Sequence, residues 1–178
     1  IARTFQNIRI YPKMSVCENV AIGLNSVPPY TALEAMLCTP KVRKKEREAF
    51  EKALEFLEMV GLQDFSDQEA GALPYGLQRK LEIARALATK PKLLFLDEPA
   101  AGMNTGESIE LVQFLRQIHE NTGLAVVLIE HHLEVVMEVC KNITVLNLGT
   151  LLATGTPQEI QNNPQVIKAY LGERRKKQ

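Results

Sequence analysis

The feature that most constrains the fold is a pair of short apolar runs, residues 93–96 and 124–129, separated by a segment with helical spacing. Each run is too short for a helix, which favours strands buried on both faces of a parallel sheet. The intervening segment is predicted to be a helix over residues 107–120. Its expected inward-facing residues are Ile109, Val112, Leu115 and Ile118. Strand, helix and strand in this order predict a right-handed parallel crossover and therefore an α/β fold.

Polar side chains follow both predicted strands. Asp97 and Glu98 close the first strand, and Glu130 and His131 close the second. Because the carboxyl ends of parallel strands meet at one sheet edge, these groups predict a ligand site. Asp97 is suited to hold Mg²⁺ through water, and Glu98 to orient or deprotonate a water. His131 is suited to donate to a phosphate oxygen or to help place that water. Strands that merely end in charged residues, with a surface histidine, are the alternative. Zinc is disfavoured because His131 and His132 are adjacent.

A turn rich in proline and glycine, Leu-Pro-Tyr-Gly-Leu-Gln at residues 73–78, precedes a strong helix-forming segment over residues 79–88. The N-terminus of such a helix carries unpaired N–H groups and a positive dipole end, which suit a phosphate. A plain turn explains the same spacing. In the helix, Leu77, Leu81, Ala84 and Ala88 form one apolar stripe.

The remaining segments predict local structure. Short helices are expected within residues 8–40, and an amphipathic helix over residues 42–60, capped by Gly61. The apolar positions of that amphipathic helix are Phe50, Ala53, Leu54, Leu57 and Val60. A β-hairpin is expected over residues 143–155, and short helices are expected to begin near Pro157 and Pro164. The basic residues 174–177 suit nucleic acid or acidic lipid, or a solvated chain end.

Composition limits the classes of function. The 178 residues contain 21 basic and 21 acidic side chains, so net charge argues for neither nucleic acid nor a membrane surface. No apolar run approaches the roughly 18 residues that cross a bilayer. The three cysteines, Cys17, Cys38 and Cys140, are scattered, which suits a reducing cytosol. The chain opens with Ile1 rather than methionine, and we expect it to be a piece of a longer protein.

Taken in this order, the motifs resemble the nucleotide-binding subunit of ABC transporters. Gln6 in Thr-Phe-Gln-Asn is similar to the glutamine of the Q-loop, residues 73–78 to the signature loop, and residues 93–98 to the Walker B strand. Residues 100–104 resemble the D-loop, and His131 the switch histidine. The signature Leu-Pro-Tyr-Gly, the segment Glu-Pro-Ala-Ala-Gly-Met-Asn and the ending Gly-Thr-Pro-Gln-Glu-Ile are most similar to the ATP-binding proteins of branched-chain amino acid importers.

The resemblance implies an ABC-type P-loop NTPase core with an inserted helical subdomain, ATP and Mg²⁺ as ligands, and transport-coupled ATP hydrolysis. Glu98 is then the general base, Asp97 and Gln6 hold Mg²⁺ through water, and His131 contacts the γ-phosphate. The remaining residues that the family would place at the nucleotide or across the dimer are Pro74, Tyr75, Gly76, Leu77 and Asn104.

The resemblance also implies an organisation and partners. It assigns residues 8–90 to the helical subdomain, 91–150 to the ATPase core, and 151–178 to a C-terminal hairpin arm with helices. The expected partners are a second ATPase subunit, by family expectation a paralogue, transmembrane permease subunits and a periplasmic or extracellular solute-binding protein, with no nucleic acid. The expected location is the cytoplasmic face of the membrane, as a peripheral subunit.

Four departures qualify these expectations. No Gly-x-x-x-x-Gly-Lys-Ser/Thr motif occurs, so we expect the chain to be truncated at its N-terminus and inactive alone. Pro74 and Leu77 depart from the usual signature residues, Asn104 replaces a common aspartate, and His132 stands where an aspartate usually follows the switch histidine. A non-catalytic partner protein and a soluble ABC ATPase without a transport role remain the alternatives.

Overall fold

The computed structural model describes residues 1–24 and 30–174. The chain divides into two compact units, Ile1–Ile129 and Glu130–Gln178. The division of the chain into a helical subdomain, a core and a C-terminal arm stays a prediction. Within the described residues, no helix is both long and apolar enough to cross a membrane.

The first unit contains a three-stranded parallel sheet. Its strands are β1 (Ala2–Arg3), β2 (Leu93–Asp97) and β3 (Ala125–Ile129), in the order β1-β2-β3. β2 is central, and its alternate residues Leu94 and Leu96 are fully buried. The predicted strand–helix–strand order and its parallel pairing are confirmed.

The expectation that the second strand is buried on both faces is wrong. Val127 is 40% exposed and Ile129 is 49% exposed. Among the described residues β3 has a paired neighbour on one side only, so its side chains receive less cover than those of β2.

The α-helices among the described residues of the first unit are α1 (Val16–Leu24), α2 (Ala32–Met36), α3 (Pro40–Val60), α4 (Tyr75–Ala88) and α5 (Thr105–Thr122), with short 3-10 helices at Gln63–Phe65 and Ala70–Ala72. Gly23 in α1 allows close packing on α4, because a Cβ there would lie 2.5 Å from the Arg85 carbonyl oxygen. The predicted short helices within residues 8–40 correspond to α1 and α2. α1 packs against α4, the helix that also carries the predicted signature turn at its N-terminus.

α3 is the predicted amphipathic helix and begins two residues before the expected start, because Thr39 caps it and Pro40 fits its first turn. Gly61 ends the helix with φ +70°, a left-handed conformation that glycine adopts without strain. Its buried residues are Val42, Ala49, Ala53, Leu57 and Val60. Phe50 and Leu54, expected among the apolar positions of this helix, flank the buried stripe and are exposed.

α5 starts at Thr105 because Asn104 and Glu107 form a capping box, and it ends at Gly123, which has φ +63°. The inward position predicted for Ile109 is wrong, since this residue is 55% exposed. In a helix of 3.6 residues per turn, each step of three residues shifts the side chain by about 60° around the helix axis. Ile109 and Ile118 therefore lie on opposite sides of α5, and only Ile118 faces the core.

The second unit contains α6 (Leu133–Val139), β4 (Ile143–Asn147), β5 (Thr150–Gly155), α7 (Pro157–Gln161) and α8 (Pro164–Arg174). β4 and β5 form the predicted antiparallel hairpin. Leu148 and Gly149 form its turn and both have positive φ, as a type I′ turn requires. The buried cluster of this unit consists of Val136, Ile143, Ile160 and Val166. Residues 175–177 of the predicted basic tail lie outside the described residues.

Candidate functional site

The two carboxylates predicted from the sequence lie at the carboxyl end of β2. Asp97 is the last residue of the strand, and its Oδ2 accepts a 2.7 Å hydrogen bond from Nη2 of Arg3 on the adjacent β1. Glu98 has φ +46°, which ends the strand in a conformation that non-glycine residues seldom adopt. Its N–H donates to the Ile129 carbonyl at 2.8 Å. The backbone of β3 therefore fixes the position of Glu98, and such strained residues cluster at functional sites.

Gln6 lies beside Glu98. Nε2 of Gln6 donates a 2.8 Å hydrogen bond to Oε2 of Glu98, on the exposed edge of the sheet. These residues are separated by 92 positions in the chain, and the parallel pairing of β1 with β2 brings them together. Two residues predicted for one site are thus in direct contact. The amide orientation that places Nε2 on Glu98 satisfies the donor with a carboxylate acceptor.

The predicted signature turn begins α4. Pro74 is the N-cap, makes no side-chain capping bond, and is followed by Tyr75 as the first helical residue. Gly102, with φ +78°, approaches this turn, because a Cβ on it would lie 3.9 Å from Cε1 of Tyr75. The residues around the turn enclose a cavity of about 90 Å³ lined by Pro74, Gly76, Leu77, Lys80, Met103, Glu107, Glu110 and Leu111. The turn therefore faces the loop that follows β2 and the start of α5.

α4 contains a buried ion pair that the sequence patterns did not predict. Nη1 of Arg79 donates to Oε2 of Glu82 at 2.8 Å, and both side chains are almost completely buried. The same guanidinium donates to the backbone carbonyl of Phe5 at 2.8 Å, to that of Gln6 at 2.8 Å, and to the Tyr75 hydroxyl at 3.3 Å. Arg79 thus contacts both the predicted signature turn and the backbone of the predicted Q-loop glutamine.

Two further contacts hold the loop that follows β1 against α4. Oε1 of Glu82 accepts a 3.1 Å hydrogen bond from the N–H of Arg9, and the Arg85 guanidinium donates to the Arg9 carbonyl. Residues 79, 82 and 85 recur every three positions along α4. One face of the helix therefore binds the backbone of residues 5–9 with polar side chains.

A signal for this face exists in the sequence. From Leu81 to Ala88 the helix is apolar almost all round, apart from Glu82 and Arg85. A helix of that kind is buried on most sides, and charges within it must find partners. The apolar stripe predicted for this helix included Leu77, which is only half-buried, and passed over both charged residues.

Asn104 has a local role in this structure. Its Oδ1 accepts from the Glu107 N–H at 3.0 Å, and the Glu107 carboxylate accepts from the Asn104 N–H at 2.8 Å. This reciprocal pairing fixes the start of α5. The expectation that Asn104 communicates across a dimer stays a prediction.

His131 belongs to the second unit, where it follows Glu130 in the turn before α6. Oε2 of Glu130 accepts from the N–H groups of His131 at 3.1 Å and His132 at 3.3 Å, and lies 3.1 Å from Nδ1 of His132. One potential ligand atom from each of the three residues lies within 4.8 Å of the others. Adjacent histidines were expected to be poorly spaced for ligation, and the turn brings them closer than the sequence suggests. The role of His131 at a phosphate stays a prediction.

Comparison with known proteins identifies the family. Residues 1–101 match the model of the ABC transporter family, and residues 150–176 match that of the branched-chain amino acid ATP-binding cassette transporter. The chain is 44% identical over 173 residues to the high-affinity branched-chain amino acid transport ATP-binding protein BraF of Pseudomonas aeruginosa. It is 42% identical to LivG of Escherichia coli K12, which carries the same description. Both alignments cover 97% of the chain and 68% of the relative.

Solved structures agree with this relationship. The crystal structure of the ADP conformation of MJ1267, an ATP-binding cassette of an ABC transporter, superposes with a TM-score of 0.77 at 30% identity. That match covers 96% of the chain and 68% of MJ1267. The predicted α/β fold is confirmed by this likeness, by the parallel sheet and by the flanking helices. The chain therefore belongs to the ABC transporter family, as one of its ATP-binding cassettes.

Proposed function

We propose that the protein is the ATP-hydrolysing subunit of an importer of branched-chain amino acids, with Glu98 as its general base. The observation that carries the proposal is the contact between Gln6 and Glu98 at the carboxyl end of β2. Ligands of open α/β sheets bind at such edges. The names of BraF and LivG supply the class of solute.

The contacts of Glu98 support a role as general base. A general base must lie within hydrogen-bond reach of the water that it orients, and its carboxylate must be held in one position. The Glu98 backbone is fixed by Ile129 and its carboxylate by Gln6. In phosphoryl transfer, orientation of the attacking water is one of the few tasks left to the protein. Glu98 would then take the proton as the water attacks the γ-phosphate, while the bond from the γ-phosphorus to the bridging oxygen breaks and ADP leaves.

Asp97 and Gln6 fit a magnesium site. Both carry oxygen ligands of the kind that Mg²⁺ prefers, and Mg²⁺ usually keeps several waters while binding one or two carboxylates. Oδ2 of Asp97 is oriented by Arg3, and Gln6 is oriented by its bond to Glu98. Bound Mg²⁺ would neutralise charge on the β- and γ-phosphates. The residues that would hold it through water are Asp97 and Gln6.

Phosphate recognition by the signature turn must use the backbone. Pro74 offers neither a hydroxyl nor an N–H, so the N–H groups of Tyr75 and Gly76 at the start of α4 would contact the γ-phosphate. Leu77 lies in the same turn. The bound nucleotide would be shared with a second ATPase subunit, with Asn104 near the dimer contact and His131 at the γ-phosphate.

The proposal includes the assembly in which the subunit works. This cassette and a second cassette, a paralogue of it, would close on ATP and drive the permease subunits at the cytoplasmic face of the membrane. A solute-binding protein on the other side would deliver leucine, isoleucine or valine. Residues 8–90 would receive the coupling segment of the permease.

The test is ATP-driven uptake into proteoliposomes that contain the full-length protein with its membrane subunits and binding protein. We expect the vesicles to transport radiolabelled leucine, isoleucine and valine when ATP is supplied on the side of the membrane that carries the cassettes. Little lysine or glutamate should be transported. Substitution Glu98→Gln should abolish it. Hydrolysis without any uptake would favour a soluble ABC ATPase. Uptake that persists with Glu98→Gln would favour a non-catalytic partner role for this chain.

A further inference from the structure

We propose that Arg79, paired with Glu82, is a positioning residue that sets the place of Gln6 and, through it, of Glu98. The inference rests on the proposed function, because it assigns a role at the same site. The burial of Arg79 is unusual for a charged residue. The Arg79 side chain in α4 has no exposed surface and directs donors to Phe5 and Gln6 in the loop after β1 and to Tyr75 at the start of α4.

The guanidinium geometry suits this task. Nη1 bridges Oε2 of Glu82 and the Phe5 carbonyl, and Nη2 bridges the Gln6 carbonyl and the Tyr75 hydroxyl. Two adjacent carbonyls are thus bound by the two terminal nitrogens of one planar group. A lysine has one compact ammonium group and cannot reproduce this fork. The contact therefore specifies arginine, beyond a requirement for positive charge.

Glu82 keeps the arginine in place and adds a second point of attachment. One carboxylate oxygen binds Arg79 and the other accepts from the N–H of Arg9. Residues 5–9 form no helix or strand, and Phe5, Gln6 and Arg9 are exposed. A loop of this kind would otherwise sample many conformations, which would spread the Gln6 amide over many positions. The ion pair holds the loop at both ends.

The same guanidinium connects two parts of the proposed site. Tyr75 belongs to the signature turn, and Gln6 binds Glu98 at 2.8 Å. A displacement of the start of α4 would therefore move the carbonyl of Gln6, and with it the amide that holds the general base. This gives a physical route from the signature turn to Glu98 within one subunit.

The main test is Arg79→Lys in the full-length protein assembled with its membrane partners. This substitution keeps a cation beside Glu82 but removes the fork. The matched control is Lys45→Met in α3, where a lysine pairs with a glutamate at the same spacing but on the surface. A third variant, Arg79→Met with Glu82→Leu, removes both buried charges together and guards against misfolding of a single substitution.

We expect Arg79→Lys to lower kcat about 10-fold and the double variant about 100-fold, the size of effect that a misplacement near 1 Å produces. The KM for ATP should stay close to the wild-type value. In a Gln6→Ala background, Arg79→Lys should add little further loss, because its effect passes through Gln6. Hydrogen exchange at residues 5–9 should accelerate about 10-fold, with residues 93–97 unchanged. Lys45→Met should leave hydrogen exchange at residues 5–9 unchanged.

Three outcomes would overturn the inference: unchanged exchange at residues 5–9, faster exchange with wild-type kcat, or an equal loss of kcat with and without Gln6. Wild-type protein that hydrolyses no ATP would instead reject the proposed function. Hydrogen exchange tests whether Arg79 holds residues 5–9 in place, and it does not depend on ATP hydrolysis. Failure of the Arg79 inference can therefore be distinguished from failure of the proposed function.

Discussion

Two ion pairs in neighbouring helices have the same form and opposite surroundings. Lys45 and Glu48 in α3, and Arg79 and Glu82 in α4, are each spaced three residues apart with a nitrogen–oxygen distance of 2.8 Å. The side chains of the first pair are 42% and 35% exposed, and those of the second 0% and 3%. Spacing and distance alone therefore do not distinguish a solvated pair from one that organises a site.

The difference follows from what each helix buries. α3 covers the core with apolar side chains and leaves its charges in water, where a salt bridge contributes little. α4 buries its charges together with the carbonyls and N–H group of another segment. Buried charges are costly to desolvate, so they persist where they also satisfy hydrogen bonds that fix a geometry. In this molecule that geometry is the position of Gln6 beside Glu98.

The largest effect should come from breaking the buried pair on one side. Glu82→Met leaves Arg79 buried without its carboxylate and should lower the free energy of unfolding by about 3–5 kcal/mol. Urea unfolding followed by circular dichroism measures this change. A loss below about 1 kcal/mol would mean that the buried pair contributes no more than an exposed salt bridge, which would contradict this prediction.

Removing both charges should cost less. In Arg79→Met with Glu82→Leu no buried charge is left alone, and the remaining cost is that of unpaired backbone groups in residues 5–9, about 1–3 kcal/mol. The same unfolding assay, run beside Glu82→Met, gives the comparison. If the double variant is less stable than Glu82→Met, the account of an uncompensated charge is wrong.

Breaking the exposed pair should have a small effect. Lys45→Met should lower the free energy of unfolding by no more than about 1 kcal/mol, because water solvates Glu48 once its partner is gone. The measurement is again urea unfolding. A loss of several kcal/mol would show that α3 depends on its surface charges, which would remove the contrast between the two helices.

The smallest effect is a pH dependence at the exposed pair. The hydrogen bond from Lys45 lowers the pKa of Glu48 below its ordinary value of 4.5. A carboxylate whose pKa is lower in the folded state stabilises the protein above pH 4.5, and this contribution is lost as the pH falls through the folded-state pKa. Glu48→Gln should therefore reduce the melting temperature slightly at pH 7 and not at all below that pKa. An equal shift at both pH values would assign the change to packing.

The contrast also shows how far the sequence leads. β2 with its acidic end, the helix end at Gly61 and the β4–β5 hairpin follow from local patterns of apolar, capping and turn residues, and all were predicted. These features depend on residues that are close in the chain. Gln6 was selected through the family motif, and the structure places it against Glu98.

The features that the sequence did not predict, or predicted wrongly, have other physical causes. Arg79 and Glu82 have the spacing of an ordinary surface pair, and they are buried because other segments, residues 5–9 among them, pack on α4. Ile109 was misplaced because a spacing of three residues drifts around the helix, and β3 is half-exposed because of its place in the sheet order. The burial of Arg79 and Glu82 and the exposure of β3 depend on contacts between segments that are distant in sequence, whereas the error at Ile109 lies in the helical spacing itself.

The most direct test of the central claim is the turnover of Glu98→Gln in the full-length, assembled protein. A general base contributes about 100- to 10,000-fold, so kcat should fall at least about 100-fold while the affinity for Mg-ATP is retained. Glu120→Gln, an exposed position on α5, is the matched control and should hydrolyse ATP like the wild type. Wild-type turnover with Glu98→Gln would contradict the assignment of Glu98 as general base. It would also contradict the location of the catalytic site at the carboxyl end of β2, beside Gln6.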